Sequence, residues 1–242
     1  MKNILITGAS GDIGSDIARK FAQNDNRLIL VYNNSKKTID NLLDELMDKC
    51  ELVSYKCDLS DEELINAMID DIIKKYKHID YLINVAGVSL IKQIQDVSID
   101  DYNYIFDNNV KSIIFLTKHV SKYMIKEHFG KIINISSIWG KVGASMESIY
   151  SASKGAINSF TLALAKELGY SNITVNAICP GLIEGKMNSF LSENEKQTLI
   201  DNTPISRIGT GLDVANLCEF LCSEKANFIT GQIITVDGGF TL

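Results

Sequence analysis

The sequence predicts an α/β protein: a doubly wound parallel sheet with helices on both faces, three layers in all, formed as one domain over residues 1–242. Two observations carry this. Short β-branched runs alternate with amphipathic helical stretches almost from end to end, with little sequence left over. A glycine-rich turn closes the first run and opens the first helix, which is where such sheets place a ligand.

In chain order, Ile4-Leu5-Ile6 reads as a strand and Ile13 to Phe21 as a helix. Leu28 to Val31 is a second strand. Thr38 to Met47 is an amphipathic helix with Ile39, Leu42, Leu43 and Leu46 on one side. Leu52 to Tyr55 precedes a helix over Glu62 to Tyr76 carrying Leu64, Ile65, Met68, Ile69 and Ile72. Tyr81-Leu82-Ile83 is followed by a long helix from about Asp100 to Lys122. Ile132 to Ile135 is the central strand, and from about Ser148 a helix places Ala152, Ala156, Ile157, Phe160 and Leu164 at helical spacing. Ile173 to Ile178, a variable region to about Gly211, a helix to Leu221 and Ile233 to Val236 complete the pattern. This is the Rossmann arrangement, and its functional residues are expected just after the strands.

Composition narrows the function. Apolar residues make up 45% of the chain without an 18-residue apolar run, so no transmembrane helix is expected. The net charge of −6 argues against nucleic-acid binding. The start, MKNILITGAS, runs straight into a strand and resembles no signal peptide. Five cysteines, at 50, 57, 179, 218 and 222, lack metal-ligand spacing. No metal is expected, and a reducing cytoplasm is the simplest compartment. Cys218 and Cys222, four apart on a helix, read as packing.

The chemistry centres on residues 131–166. Ser136-Ser137 close the central strand, and Tyr150 and Lys154 leave the next helix one turn apart on one face. A phenol holds its proton to pH ~10. A nearby ammonium favours the phenolate and lowers that pKa. With the Ser137 hydroxyl sharing a substrate oxygen, the set can move a proton on or off a carbonyl. After the first strand stands Thr7-Gly8-Ala9-Ser10-Gly11-Asp12-Ile13-Gly14, a turn whose bare backbone and helix N-terminus suit a dinucleotide pyrophosphate.

Together these motifs resemble the short-chain dehydrogenase/reductase family over nearly the whole chain. The turn at Gly8, Ser10, Asp12, Ile13 and Gly14 is similar to the family's cofactor loop; Cys57-Asp58-Leu59 to its adenine segment; Asn84-Val85-Ala86-Gly87 to its NNAG motif; and Pro180-Gly181-Leu182-Ile183 to the motif that closes over nicotinamide. Asn109 falls at the catalytic Asn. Ser137 and Tyr150, thirteen residues apart, and Lys154 fall at the Ser and YxxxK positions. The resemblance implies that Tyr150 is the general acid in reduction and that Ser137 holds the carbonyl oxygen. It further implies that Lys154 binds the nicotinamide ribose and lowers the Tyr150 pKa, and that Asn109 positions a water of the proton relay.

The departures are specific. Asp12 stands where the family has its middle glycine; a carboxylate ~4 Å from a pyrophosphate would cost about 1–4 kcal/mol. Asp12 is therefore expected to turn outward and cap the helix. Val85 replaces an Asn, and Gly185 stands where a Thr often contacts cofactor. The second strand ends in Tyr32-Asn33-Asn34-Ser35-Lys36-Lys37 with no acid to bind ribose hydroxyls, so NADP(H) is expected ahead of NAD(H), with Asn33 beside the cofactor. Against this, Gly11 sits where many NADP-dependent relatives carry an Arg.

Within the family, Thr203-Pro204-Ile205-Ser206-Arg207-Ile208-Gly209, Phe228 to Gln232 and Val236 to Gly239 are similar to the carboxyl-terminal blocks of 3-oxoacyl-carrier-protein reductases of fatty acid biosynthesis. This implies a homotetramer and acyl carrier protein as a partner. Ser137-Ile138-Trp139-Gly140 with Gly143 to Glu147 instead resembles a subgroup that reduces a ketone on a modified lysine of elongation factor P. A protein-bound or small ketone is thus the alternative substrate, an amine-bearing one able to pair with Glu147. The non-enzymatic alternative is a dinucleotide-binding regulatory protein. The intact Asn109, Ser137, Tyr150 and Lys154 oppose it. Lys186 to Asn202 is expected to be the lid.

Overall fold

Strand residues alternate between two apolar clusters, and this period-two pattern builds the molecule. The structure, a computed structural model, describes residues 1–189 and 191–242. Among them the strands β1 (Lys2–Thr7), β2 (Asn26–Tyr32), β3 (Glu51–Lys56), β4 (Tyr81–Asn84), β5 (Gly130–Ile135), β6 (Ile173–Pro180) and β7 (Ile233–Val236) form one sheet. The order is β3-β2-β1-β4-β5-β6-β7, with all pairings parallel. Ile4, Ile6, Leu28, Leu30 and Ile83 face one side, where they meet α1 (Asp12–Phe21), α2 (Lys36–Leu46) and α9 (Gly211–Cys222). Leu5, Ile29, Val31, Leu82 and Ile132 face the other, against α3 (Glu62–Tyr76), α5 (Ser112–Glu127) and α7 (Ser148–Leu168). The expected three-layer, doubly wound fold is observed. Strand order reverses between β1 and β4, which puts a crevice at their carboxyl ends.

Three local expectations are corrected. The long helix over 100–122 is instead α4 (Ile99–Phe106), a π-helical turn (Asp107–Lys111) and α5. Leu64 is 48% exposed rather than buried with Ile65, Met68, Ile69 and Ile72. On α7, Ala152 faces solvent, while Tyr150, Ser153, Lys154, Asn158 and Thr161 are buried beside Ile157 and Leu164. Cys218 and Cys222 are buried free thiols, as their packing role requires. No described helix is long and apolar enough to cross a membrane.

A buried polar chain ties the central strands to the helices that carry the site. Asn84 Nδ2 donates to Asn134 Oδ1 at 2.9 Å and to Thr117 Oγ1 at 3.3 Å. Asn134 Nδ2 donates to Thr161 Oγ1 at 2.9 Å, and Thr161 to the Ile157 carbonyl at 2.8 Å. Asn84 Oδ1 has no partner among the described residues. The stabilisation therefore rests on its two N–H bonds. Asn84→Ala takes the donor from Asn134 Oδ1 and Thr117 Oγ1 at full burial and is expected to lose about 1–3 kcal/mol. Denaturant unfolding checks this: a lower midpoint with an unchanged m-value is expected, and an unchanged midpoint refutes it.

Candidate active site

The site is assembled at the carboxyl ends of β1, β4, β5 and β6. Gly8 takes φ +62°, and a Cβ there would stand 2.8 Å from Ala86 N, so only glycine lets the first turn lie against the β4 loop. Thr7 Oγ1 locks the two loops together by accepting from Val85 N at 3.0 Å and Ala86 N at 3.1 Å. Gly14 is equally obligatory, since its Cβ would stand 2.2 Å from the Gly8 carbonyl oxygen. Gly11 is the N-cap of α1, and the first-turn amides beyond it have no intrahelical partner. At the other end of the crevice, a Cβ on Gly87 would lie 3.1 Å from Asn109 Oδ1 and 3.3 Å from Lys154 Nζ. Bare backbone at both ends and free amides at one fit an extended, anionic dinucleotide.

The residues expected to handle a proton lie close together. Lys154 is buried, its Nζ donating to the Ile135 carbonyl at 3.0 Å and lying 5.7 Å from the Tyr150 ring centroid. Ser137 Oγ accepts from Trp139 N at 3.2 Å and lies within hydrogen-bonding reach of the Tyr150 phenol. Asn109 sits in the π turn, which swings its amide inward: Oδ1 accepts from Val88 N at 2.7 Å, and Nδ2 donates to the Val88 carbonyl and to Ser153 Oγ. Ser153 in turn donates to the Tyr150 carbonyl at 2.7 Å. Sequence reasoning missed Ser153, although its place inside Tyr-x-x-x-Lys was the available signal.

The electrostatics differ from the expectation. Burial pushes the Tyr150 phenol up to about 12, the Ser137 hydrogen bond opposing it and the Glu147 charge adding to it. Burial likewise pushes the Lys154 ammonium down to about 8. Desolvation thus dominates at the phenol in the protein alone, and Tyr150 holds its proton firmly.

Other expected residues need correction or refinement. Asp12 does not cap α1: the cap is Gly11, without a side-chain bond, and Asp12 Oδ2 accepts from Lys186 N at 2.6 Å. The Asn84 side chain points into the interior network, so only its backbone can reach a cofactor. Ile183 is 5% exposed and packs into the core, with its carbonyl accepting from Asn188, so its side chain is no ligand. Pro180 and Gly181 are held by Ile138 N on the Pro180 carbonyl and by Gly181 N on the Val236 carbonyl. Asp58 accepts from Ser60 N and Oγ and lies beside Asn33, which together lower its pKa. Leu59 is half-buried against the second apolar cluster, and Ala86, Ser10 and Ile13 line the crevice half-buried. Lys36 is paired with Asp40 at 2.8 Å on a solvated helix face. Phe190, within the expected lid, lies outside the described residues. The rest of that segment forms a short turn (Lys186–Asn188) and α8 (Glu193–Asp201).

A cleft opens beside Ser137, walled by Trp139, Leu182, Leu199, Ile200, Ile208 and Phe240, with Asn188, Thr203, Arg207 and Asp237 among its polar members. Arg207 is paired with Asp213 at 2.8 Å.

A dinucleotide-type crevice beside a Ser, Tyr, Lys and Asn cluster defines the class of protein, and comparison with known proteins agrees. The family model described as enoyl-(acyl carrier protein) reductase matches residues 8–241. The uncharacterised oxidoreductase YmfI of Bacillus subtilis is 36% identical, over 99% of this chain and 98% of its own. The 3-oxoacyl-[acyl-carrier-protein] reductase FabG of Aquifex aeolicus is 35% identical, over 97% and 95%. Among solved structures, ElxO with NADP bound superposes with a TM-score of 0.90 at 33% identity, covering 99% of this chain and 98% of that one. A 3-oxoacyl-[acyl-carrier protein] reductase from Brucella melitensis gives 0.93 at 30%, covering 100% and 91%. The chain belongs to the short-chain dehydrogenase/reductase family of oxidoreductases.

The buried lysine gives a direct check. In cofactor-free protein, Lys154 is expected to titrate near 8 while exposed lysines titrate near the usual ~10.4. NMR of Cε-labelled lysine, with Lys154→Met to assign the signal, measures it. A Lys154 signal titrating with the exposed lysines would refute the burial argument.

Proposed function

We propose that the protein is an NADP-dependent ketone reductase that converts a 3-oxoacyl group on acyl carrier protein to the secondary alcohol. The observation that carries the reading is the convergence of Ser137, Tyr150, Lys154 and Asn109, with Ser137 lining the adjoining cleft. A bound reduced dinucleotide supplies the hydride. Ser137 Oγ donates a hydrogen bond to the substrate carbonyl oxygen, and Tyr150 gives that oxygen its proton as charge develops there. The Lys154 ammonium, fixed by the Ile135 carbonyl, offsets the charge left on the phenol and holds the nicotinamide ribose. Asn109, anchored by Val88 and Ser153, orders the relay that returns the proton. Gly8, Ser10, Ile13 and Gly14 face the pyrophosphate, Asn33, Asp58 and Leu59 the adenosine end, and Ala86, Gly87, Pro180 and Gly181 the nicotinamide end. NADP is preferred because no carboxylate ends β2 and a relative of 33% identity holds NADP. The cytoplasm, where free thiols persist, is the proposed compartment, since all five cysteines are free.

A homotetramer is part of the proposal. β7 is the sheet's edge strand, and Phe228 nearby is fully exposed, a combination suited to burial against another copy. A solution mass of four chains by light scattering is the check.

A second reading, a ketone bearing an amine such as one on a modified lysine of elongation factor P, is favoured by Glu147. This carboxylate is half-buried at the start of α7, close enough to raise the Tyr150 pKa, and burial raises its own. No described cation forms a salt bridge with it.

Tyr150→Phe is expected to bind NADPH normally and lose about 10²–10⁴ in turnover. A variant keeping a third of the wild-type rate would sink the assignment, and tighter binding of NADH than NADPH would reverse the cofactor preference. Substrate class is decided by rates on acetoacetyl thioesters and amino ketones, in wild type and Glu147→Gln. The first reading expects thioesters to be preferred and the variant to be neutral on them. A selective loss on amino ketones would establish the second.

A further inference from the structure

The two departures at the cofactor loop, Asp12 and Gly185, meet in space. Asp12 opens α1 directly after the glycine turn, and Gly185 follows β6 at the start of the segment that leads to the cleft walls Asn188, Leu199 and Ile200. Gly185 has φ +147° and ψ −179°, backbone that essentially only glycine adopts. A Cβ at Gly185 would stand 2.2 Å from Asp12 Oδ2 and 2.7 Å from its Cγ. The carboxylate therefore fills the room that a side chain at 185 would need, and from there it accepts from Lys186 N at 2.6 Å, across 174 residues of sequence. Each end of the contact is itself held. Ser15 Oγ donates to the Asp12 carbonyl at 2.9 Å, Asn188 N to the Gly185 carbonyl at 3.2 Å, and Asn188 Nδ2 to the Ile183 carbonyl at 2.7 Å.

We infer that Asp12 is a positioning residue whose carboxylate fastens the segment after β6 to the glycine turn, so that this wall of the cleft is docked in the protein alone. A side-chain hydroxyl at 185 could donate to a phosphate and so would engage this segment only when a dinucleotide is present. A carboxylate is acceptor-only, and what it holds here is the chain's own amide. Docking and cofactor binding are thereby separated: the wall is ordered first, and the dinucleotide enters a site that is already shaped.

Hydrogen exchange of the cofactor-free protein tests this without depending on any activity. Asp12→Ala removes the acceptor, and the Lys186 amide is expected to exchange about tenfold faster. Asp12→Asn keeps a carbonyl oxygen at the same place and is expected to stay near wild type. Gly185→Ala pushes the carboxylate aside, so it should speed Lys186 exchange in the wild-type background and add little to Asp12→Ala. Trp139 fluorescence gives NADPH dissociation constants for the same proteins; weaker binding is expected in Asp12→Ala and not in Asp12→Asn. Unchanged Lys186 exchange in Asp12→Ala overturns the inference. So does NADPH binding that tightens in both variants, which would mark Asp12 as only a charge opposing the pyrophosphate. Failure of the wild-type protein to bind NADPH while the exchange result stands would count against the cofactor reading instead.

Discussion

Everything at the site hangs on the amide pair Asn84–Asn134. It joins β4 to β5 at the carboxyl end of the sheet, then reaches Thr117 on α5 and Thr161 on α7. The first continues the π turn that holds Asn109, and the second carries Tyr150 and Lys154. A purely apolar contact at this depth would tolerate sliding, because dispersion and burial are non-directional. Buried amide hydrogen bonds do not, since a displaced donor loses its partner at full desolvation cost. The interior polar chain therefore does for α5 and α7 what the Thr7 hydroxyl does for the glycine turn and the β4 loop.

This constraint makes a buried ammonium tolerable. Lys154 sits where its charge is disfavoured, and the fold compensates with one carbonyl, Ile135, on the strand that Asn134 pins. The same burial that lowers the lysine raises the tyrosine. The pair is thus set for proton donation from an acid that holds its proton until a substrate oxygen can take it. A bound dinucleotide, whose nicotinamide ring is cationic only when oxidised, brings different charges to the same pocket in its two redox forms.

The strands, their order of appearance and the motif residues at their ends were legible because period-two runs and glycine turns are local signals. Three features were not. The π turn at Asn109 interrupts an apolar periodicity that reads as one helix from Ile105 to Ile113; the only local hint is Asp107-Asn108-Asn109, three weak helix formers in a row. On α7 the apolar spacing marks Ala152, Ala156, Ile157, Phe160 and Leu164, yet Tyr150, Ser153, Lys154, Asn158 and Thr161 are buried beside Ile157 and Leu164 while Ala152 is exposed. Hydrophobicity marks the inside only where the inside is apolar, and the inner face of this helix carries the chemistry.

Asp12 is the third, and the reason is general. Read locally, an acid at a helix start is a cap or a favourable charge at the positive end of the dipole. Its actual partner is the Lys186 amide, brought to it only by the return of β6 beside the crevice. The sequence does hold a trace of this contact, because two unusual residues, an acid at 12 and a glycine at 185, each look unfavourable alone. Taken together they are complementary, one supplying the volume that the other gives up. The two departures stand 173 positions apart, and they cancel sterically only because the fold returns the chain after β6 to the glycine turn.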